Sequence, residues 1–185
     1  MINRVIRAAM LDVEFFQKAE MDTSLTQEAL IVVIIVSLIG AIGSFLGGVI
    51  AGRFGAALLG LIVALITGVV TYYIWAYVTY FVGRQLFDAA VDPGEMLRVL
   101  GYASGPRALS IFSFIPCVGW LIAFAGGIWA LVAAFVGARE ALDLDTGQTL
   151  ITVIIGWIII MVVTALITAA VGVGAVGAGV IGSLL

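Results

Sequence analysis

The chain contains no histidine and a single cysteine, Cys117, among its 185 residues. Without histidine there is no His-liganded haem, no zinc or di-iron site of the usual kind, and no Ser–His or Cys–His catalytic pair. With one cysteine, neither an intrachain disulfide nor a thiolate metal cluster forms, and Cys117 reads as a small buried hydrophobe. Charge is scarce too: Lys and Arg number 8, Asp and Glu 11, together 10% of the chain, where soluble domains carry roughly 25%. The net charge of -3 comes without a basic patch, which excludes nucleic acid as a partner. No cofactor is implied.

What is present is hydrocarbon. Ala29 to Gly52, Phe54 to Gly83, Ala108 to Ala138 and Thr146 to Leu185 carry no charged side chain. Uncharged apolar runs of 18 or more residues read as membrane spans, because roughly 20 helical residues cross a hydrocarbon core of about 30 Å. The fold class is therefore an all-α integral membrane protein. Residues 1–28 form an N-terminal segment outside the membrane, and 29–185 form the membrane domain.

The N-terminal segment is not a cleaved signal peptide, since Asp12 and Glu14 interrupt any apolar h-region. Ile2, Ile6, Ala9, Met10, Val13 and Phe16 fall on one helical face, and Arg4, Arg7, Glu14 and Lys18 on the other. This is the pattern of an amphipathic helix lying in the interfacial plane or packed on its own membrane domain.

Span one runs from about Glu28 to Ala51 and span two from about Phe54 to Val82. Tyr72, Tyr73, Trp75, Tyr77, Tyr80 and Phe81 near the end of span two read as an interfacial aromatic belt or as an aromatic wall for a lipid, quinone or pigment. Asp92-Pro93-Gly94-Glu95 is a helix start: Asp as cap, Pro at the first position, Glu at the third. The helix that follows meets Gly105-Pro106, where the missing amide and the ring clash predict a break. Span three is thus short and interrupted, with a second break near Pro116. Span four covers about Val118 to Gly137, and span five begins near Thr149. The result is a five-span bundle behind an amphipathic N-terminal helix.

Placing the N-terminus in the cytoplasm puts Arg4, Arg7, Lys18, Arg84, Arg98 and Arg139 on the cytoplasmic side and Arg53 outside. That is the positive-inside arrangement for a multi-pass cell-membrane protein whose C-terminus lies outside. Small residues recur at helix-packing spacing: Gly43 with Gly47, Ser44 with Gly48 and Gly52, and the row Ala170, Gly174, Ala178 and Gly182. Arg107 follows the Gly105-Pro106 break inside the membrane boundary. There it either snorkels, pairs with Asp88, Asp92 or Glu95, or holds a lipid phosphate. Arg98, Tyr102, Pro106 and Arg107 are the candidate contacts for a headgroup or a partner.

The stretch Leu97-Arg98-Val99-Leu100-Gly101-Tyr102-Ala103-Ser104-Gly105-Pro106, followed by Pro116, Trp129 and Arg139-Glu140, and preceded by Glu14-Phe15-Phe16, resembles the Yip domain family of Ypt-interacting proteins. The resemblance implies a multi-span membrane-organising protein. Eukaryotic members bind prenylated Rab-type GTPases through a longer cytoplasmic region, whereas the short N-terminus here is similar to the prokaryotic branch, so the GTPase function is not carried over. Three classes of function follow. The first is a non-enzymatic structural protein, adaptor or assembly subunit, whose partners are membrane lipids, other integral membrane subunits or copies of itself. The second is a transporter or channel using the broken third span. The third is a membrane enzyme, for which the spans supply no acid–base cluster.

Overall fold

The computed structural model describes the backbone of residues 1–182, and side chains through Ile167 together with Ala169. Among these residues the chain is helical throughout. Its elements are α1 (Ile2–Ala9), α2 (Val13–Met21), α3 (Leu25–Ile50), α4 (Phe54–Phe87), α5 (Pro93–Ala103), a 3-10 segment (Gly105–Phe114), α6 (Gly119–Leu142) and α7 (Thr146–Gly182). Four of these, α3, α4, α6 and α7, are long and apolar enough to cross a membrane. Their outer faces are studded with exposed Ile, Leu, Val, Phe and Trp, which in a membrane protein face lipid.

The N-terminal segment is not one amphipathic helix. It breaks after Met10, where Leu11 takes a left-handed φ of 61°, and Asp12 caps α2 by accepting a hydrogen bond from the Phe15 amide at 3.1 Å. The carboxylate that interrupts the apolar face thus serves as a helix start. The break divides the apolar residues between two environments. Ile2, Ile6, Met10 and Val13 stay exposed, while Ala8, Phe15, Phe16 and Ala19 are buried in the bundle.

α5 begins as its sequence predicts: the Glu95 carboxylate accepts the Asp92 amide at 2.9 Å and Pro93 occupies the first turn. The Gly105-Pro106 break does not end the segment. It converts the helix to 3-10 geometry, in which the chain continues alongside α3. Gly101 lies against Ala29, Ser110 against Gly40, Ile111 against Gly43 and Phe114 against Gly47. α3 rises about 27 Å from Ala29 to Gly47. The facing stretch from Gly101 to Phe114 would rise only about 20 Å as α-helix, but rises about 25 Å with its last ten residues in 3-10 form. The extra rise keeps the two chains in register.

The close approach depends on glycine. A Cβ on Gly43 would sit 2.6 Å from the carbonyl oxygens of both Ser110 and Ile111, and one on Gly48 would sit 2.6 Å from the Ala57 Cβ of α4. Gly47 is roomier, its Cβ position lying 3.5 Å from Phe114 Cα. Gly52 does not belong to this packing row. It lies past the end of α3 with φ of 72° and nothing within 4 Å of its Cβ position, so it makes the left-handed turn into α4. Gly174, Ala178 and Gly182 fall outside the residues whose side-chain surroundings are described.

Cys117 is exposed rather than buried and also has a positive φ of 64°. It sits in the turn between the 3-10 segment and α6.

Candidate functional site

One end of the bundle gathers the N-terminal helices with α5 and the C-terminal part of α6. Phe15 meets the Tyr102 ring edge-on, with centroids 5.0 Å apart, and Phe16 packs where a Cβ on Gly137 would come within 2.8 Å of its ring. Gln17 donates to Glu140 at 2.8 Å, and the Trp129 indole N–H donates to the Ala9 carbonyl at 2.7 Å. The Tyr102 hydroxyl donates to Glu28 at 2.8 Å. Glu28 also pairs with Arg4 at 2.5 Å and with the terminal ammonium at 3.3 Å. Scattered along the sequence, these side chains form one latch that holds α1 and α2 on the membrane domain.

Arg98 belongs to that latch. Expected as a headgroup or partner contact, it is instead buried. Its guanidinium donates to the carbonyls of Ala19, at 2.8 Å, and Glu20, and reaches Thr26 Oγ1 at 3.4 Å. The C-terminal carbonyls of α2 have no intrahelical donors, and a cation there satisfies them and complements the helix dipole. Tyr102 and Pro106 are likewise buried, so neither presents itself to an outside partner. Glu20 carries a carboxyl pushed up to about 7, chiefly by burial and then by the charges of Asp143, Glu95 and Glu140, against the lowering effect of Arg98.

Every one of these latch positions lies in the stretch that the Yip1 domain model matches, residues 10–167, except Met1 and those of α1. The chain belongs to the Yip1 domain family. The Yip1 match spans most of the sequence and covers α2 through the described part of α7. No curated protein and no solved structure matches the chain. As a Yip1 domain protein with several long apolar helices it is a multi-pass membrane protein in contact with lipid.

Arg107 sits apart from the latch. By helical rise it lies roughly 8–10 Å beyond Tyr102 along the third segment, and it lines a hollow of about 390 Å³ framed by α3, α4, the 3-10 segment, α6 and α7. Arg107 is exposed and borders both this hollow and a neighbouring recess along α4 and α7. Among the described residues no carboxylate pairs with it: Asp88, Asp92 and Glu95 instead ring a separate recess with Arg84.

The aromatic run of α4 divides. Tyr77 and Phe81 face outward, whereas Tyr72 and Trp75 are buried and line the hollow. Tyr72 spends its hydroxyl on the Leu97 carbonyl at 2.7 Å. Thr71 Oγ1 and Trp75 Nε1 are buried there without a hydrogen-bond partner. Trp75 was read from the sequence as part of the aromatic belt or wall, whereas Thr71 was not singled out. The available signal was Gly68, Thr71, Trp75 and Thr79 at three- and four-residue spacing, a small and polar stripe on an otherwise apolar helix.

Proposed function

We propose that this Yip1 domain protein is a non-enzymatic organiser of the membrane, acting as an adaptor or assembly subunit of a larger membrane complex. The observation that carries this reading is the latched N-terminal unit. Its inner face is fixed to the bundle by Phe15, Phe16, Arg98 and Glu28, while Ile2, Ile6, Met10, Val13 and Met21 remain exposed on its outer side. Such a pre-ordered apolar strip at the end of a membrane bundle suits an interfacial position and contact with another membrane subunit.

In this reading the chain crosses the cell membrane five times. α5 and the 3-10 segment together rise about 36 Å, enough to cross a core of about 30 Å. The latch end, rich in Arg, faces the cytoplasm and the α3–α4 turn with Arg53 faces outside.

The test is purification from native membranes in mild detergent, comparing the wild type with a variant carrying Ile2→Ser, Ile6→Ser and Met10→Ser. A stoichiometric partner that is lost from the variant supports the reading. A wild-type protein that elutes alone sinks it.

A second reading, lipid or small-molecule passage through the broken third span, draws on the hollow beside Arg107. Uptake into protein-containing liposomes tests it.

A further inference from the structure

We infer that the hollow beside Arg107 is a binding site for an amphiphile with one anionic oxygen-bearing group, and that its occupant is a phosphate-bearing membrane lipid. The site does not depend on whether the protein recruits partners.

The polar side of the hollow carries Arg107 together with Ser37, Ser44, Ser104 and Ser110. Arg107 supplies a cation with five N–H groups and, among the described residues, no ion-pair partner. Thr71 and Trp75 line the same hollow, but their unpartnered Oγ1 and Nε1 have no accessible surface, Trp75 Nε1 lying against Gly156 of α7, so the cation is the polar group that an occupant meets. An unpaired cation within a membrane bundle is costly and calls for acceptor oxygens. No Asp or Glu lines this hollow, so nothing there repels an anion. A guanidinium matches a phosphate or carboxylate through paired hydrogen bonds.

The rest of the lining is apolar, with Val36, Leu100, Leu131 and Ile160 among its walls. At about 390 Å³ the hollow falls in the range of small-ligand sites. It fits a headgroup phosphate and the start of a chain better than a free, fully hydrated ion. Access comes from the side: Phe124 and Ile128 of α6 line the hollow and are also exposed, and α7 leans on α4 more than on α6. The opening between α6 and α7 therefore faces the bilayer. A second recess of about 350 Å³ also touches Arg107 and Thr71, giving the chain of a bound lipid a continuation along α4 and α7.

The experiment is native mass spectrometry of the full chain in detergent, equilibrated with phosphatidylglycerol and phosphatidylcholine of matched chains, with inorganic phosphate as a separate arm. The wild type is expected to retain one phosphatidylglycerol in preference to phosphatidylcholine. Arg107→Gln is expected to lose that preference by roughly tenfold or more, and Arg53→Gln, outside the hollow, to keep it. Gly127→Leu puts a side chain into open space at the lining of the hollow and is expected to weaken retention by several-fold; it serves where Arg107→Gln does not fold. Equal retention by wild type, Arg107→Gln and Gly127→Leu would overturn the site. Binding of inorganic phosphate with no lipid preference would overturn the lipid as occupant.

Discussion

Tyr102 and Glu28 meet at 2.8 Å, hydroxyl to carboxylate, although 74 residues separate them. The contact joins α5 to α3 and, because Glu28 also takes Arg4 at 2.5 Å, to α1. Its parts are unequal. The hydrogen bond is partly buried and charge-assisted, worth about 1.5–3 kcal/mol. The Arg4 side chain is 45% exposed, so its ion pair is worth no more than about 1 kcal/mol. Tyr102→Phe should therefore loosen the N-terminal helices more than Arg4→Ala. Limited trypsin digestion, read as cleavage after Arg7 and Lys18, checks the order. Faster cleavage in Arg4→Ala than in Tyr102→Phe would contradict it.

Arg98 is the keystone of the same latch. Arg98→Ala strands the carbonyls of Ala19 and Glu20 and should cost about 2–4 kcal/mol. Arg98→Lys, which keeps the charge but not the planar fork, should recover part of it. Thermal unfolding in detergent gives the ranking, with wild type above Lys and Lys above Ala. Equal melting of all three would mean that the guanidinium does not hold α2.

The α3 glycines make a graded series. Gly43→Ala drives a methyl into two carbonyls at 2.6 Å, whereas Gly47→Ala places one at an ordinary 3.5 Å. The first should destabilise by about 1–3 kcal/mol through overpacking, and the second by little. Comparable melting of the two variants would show that the 3-10 segment does not press on α3 as described.

Much of this arrangement was legible in the sequence, because uncharged runs and capping residues act locally. The four long apolar helices and the Asp92-Pro93-Glu95 helix start follow from such signals. What was not legible depends on which neighbour a side chain meets. Arg98 looked like a headgroup contact because an arginine near a span end usually is one; only the folded chain brings the carbonyls of Ala19 and Glu20 to it. Gly52 matched the packing row by spacing, but α3 ends at Ile50, and past a helix end the spacing loses its meaning. Cys117 was expected to be buried on the usual behaviour of the residue, and a turn after Pro116 exposes it. Arg107 was legible as a charge in the wrong place. Trp75 was legible as part of an aromatic belt or wall, but that its N–H and the Thr71 hydroxyl lack partners is a property of the packed bundle.

Glu20 makes the latch pH-dependent. Its carboxyl is raised from 4.5 to about 7, first by burial and then by Asp143, Glu95 and Glu140, with Arg98 opposing. The docked state thus holds a proton that the undocked state has released. Docking should weaken as pH rises from about 4.5 towards 7 and level off above it. Asp12, held low mainly by its hydrogen bond from Arg7, acts in the opposite sense only below its ordinary 3.8. Hydrogen exchange of α2 amides across this range should show protection falling with rising pH in wild type and flat in Glu20→Gln. An identical slope in both would remove Glu20 as the cause.

The most direct test of the five-span account uses the native thiol. Cys117 is exposed and lies just past the third segment, at the end of the bundle opposite the latch. If α5 and the 3-10 segment cross the membrane from a cytoplasmic start, a membrane-impermeant maleimide added to intact cells should label Cys117, and Cys117→Ser should abolish the label. Labelling that appears only after the membrane is permeabilised would contradict the account, placing the third segment or the whole bundle the other way round.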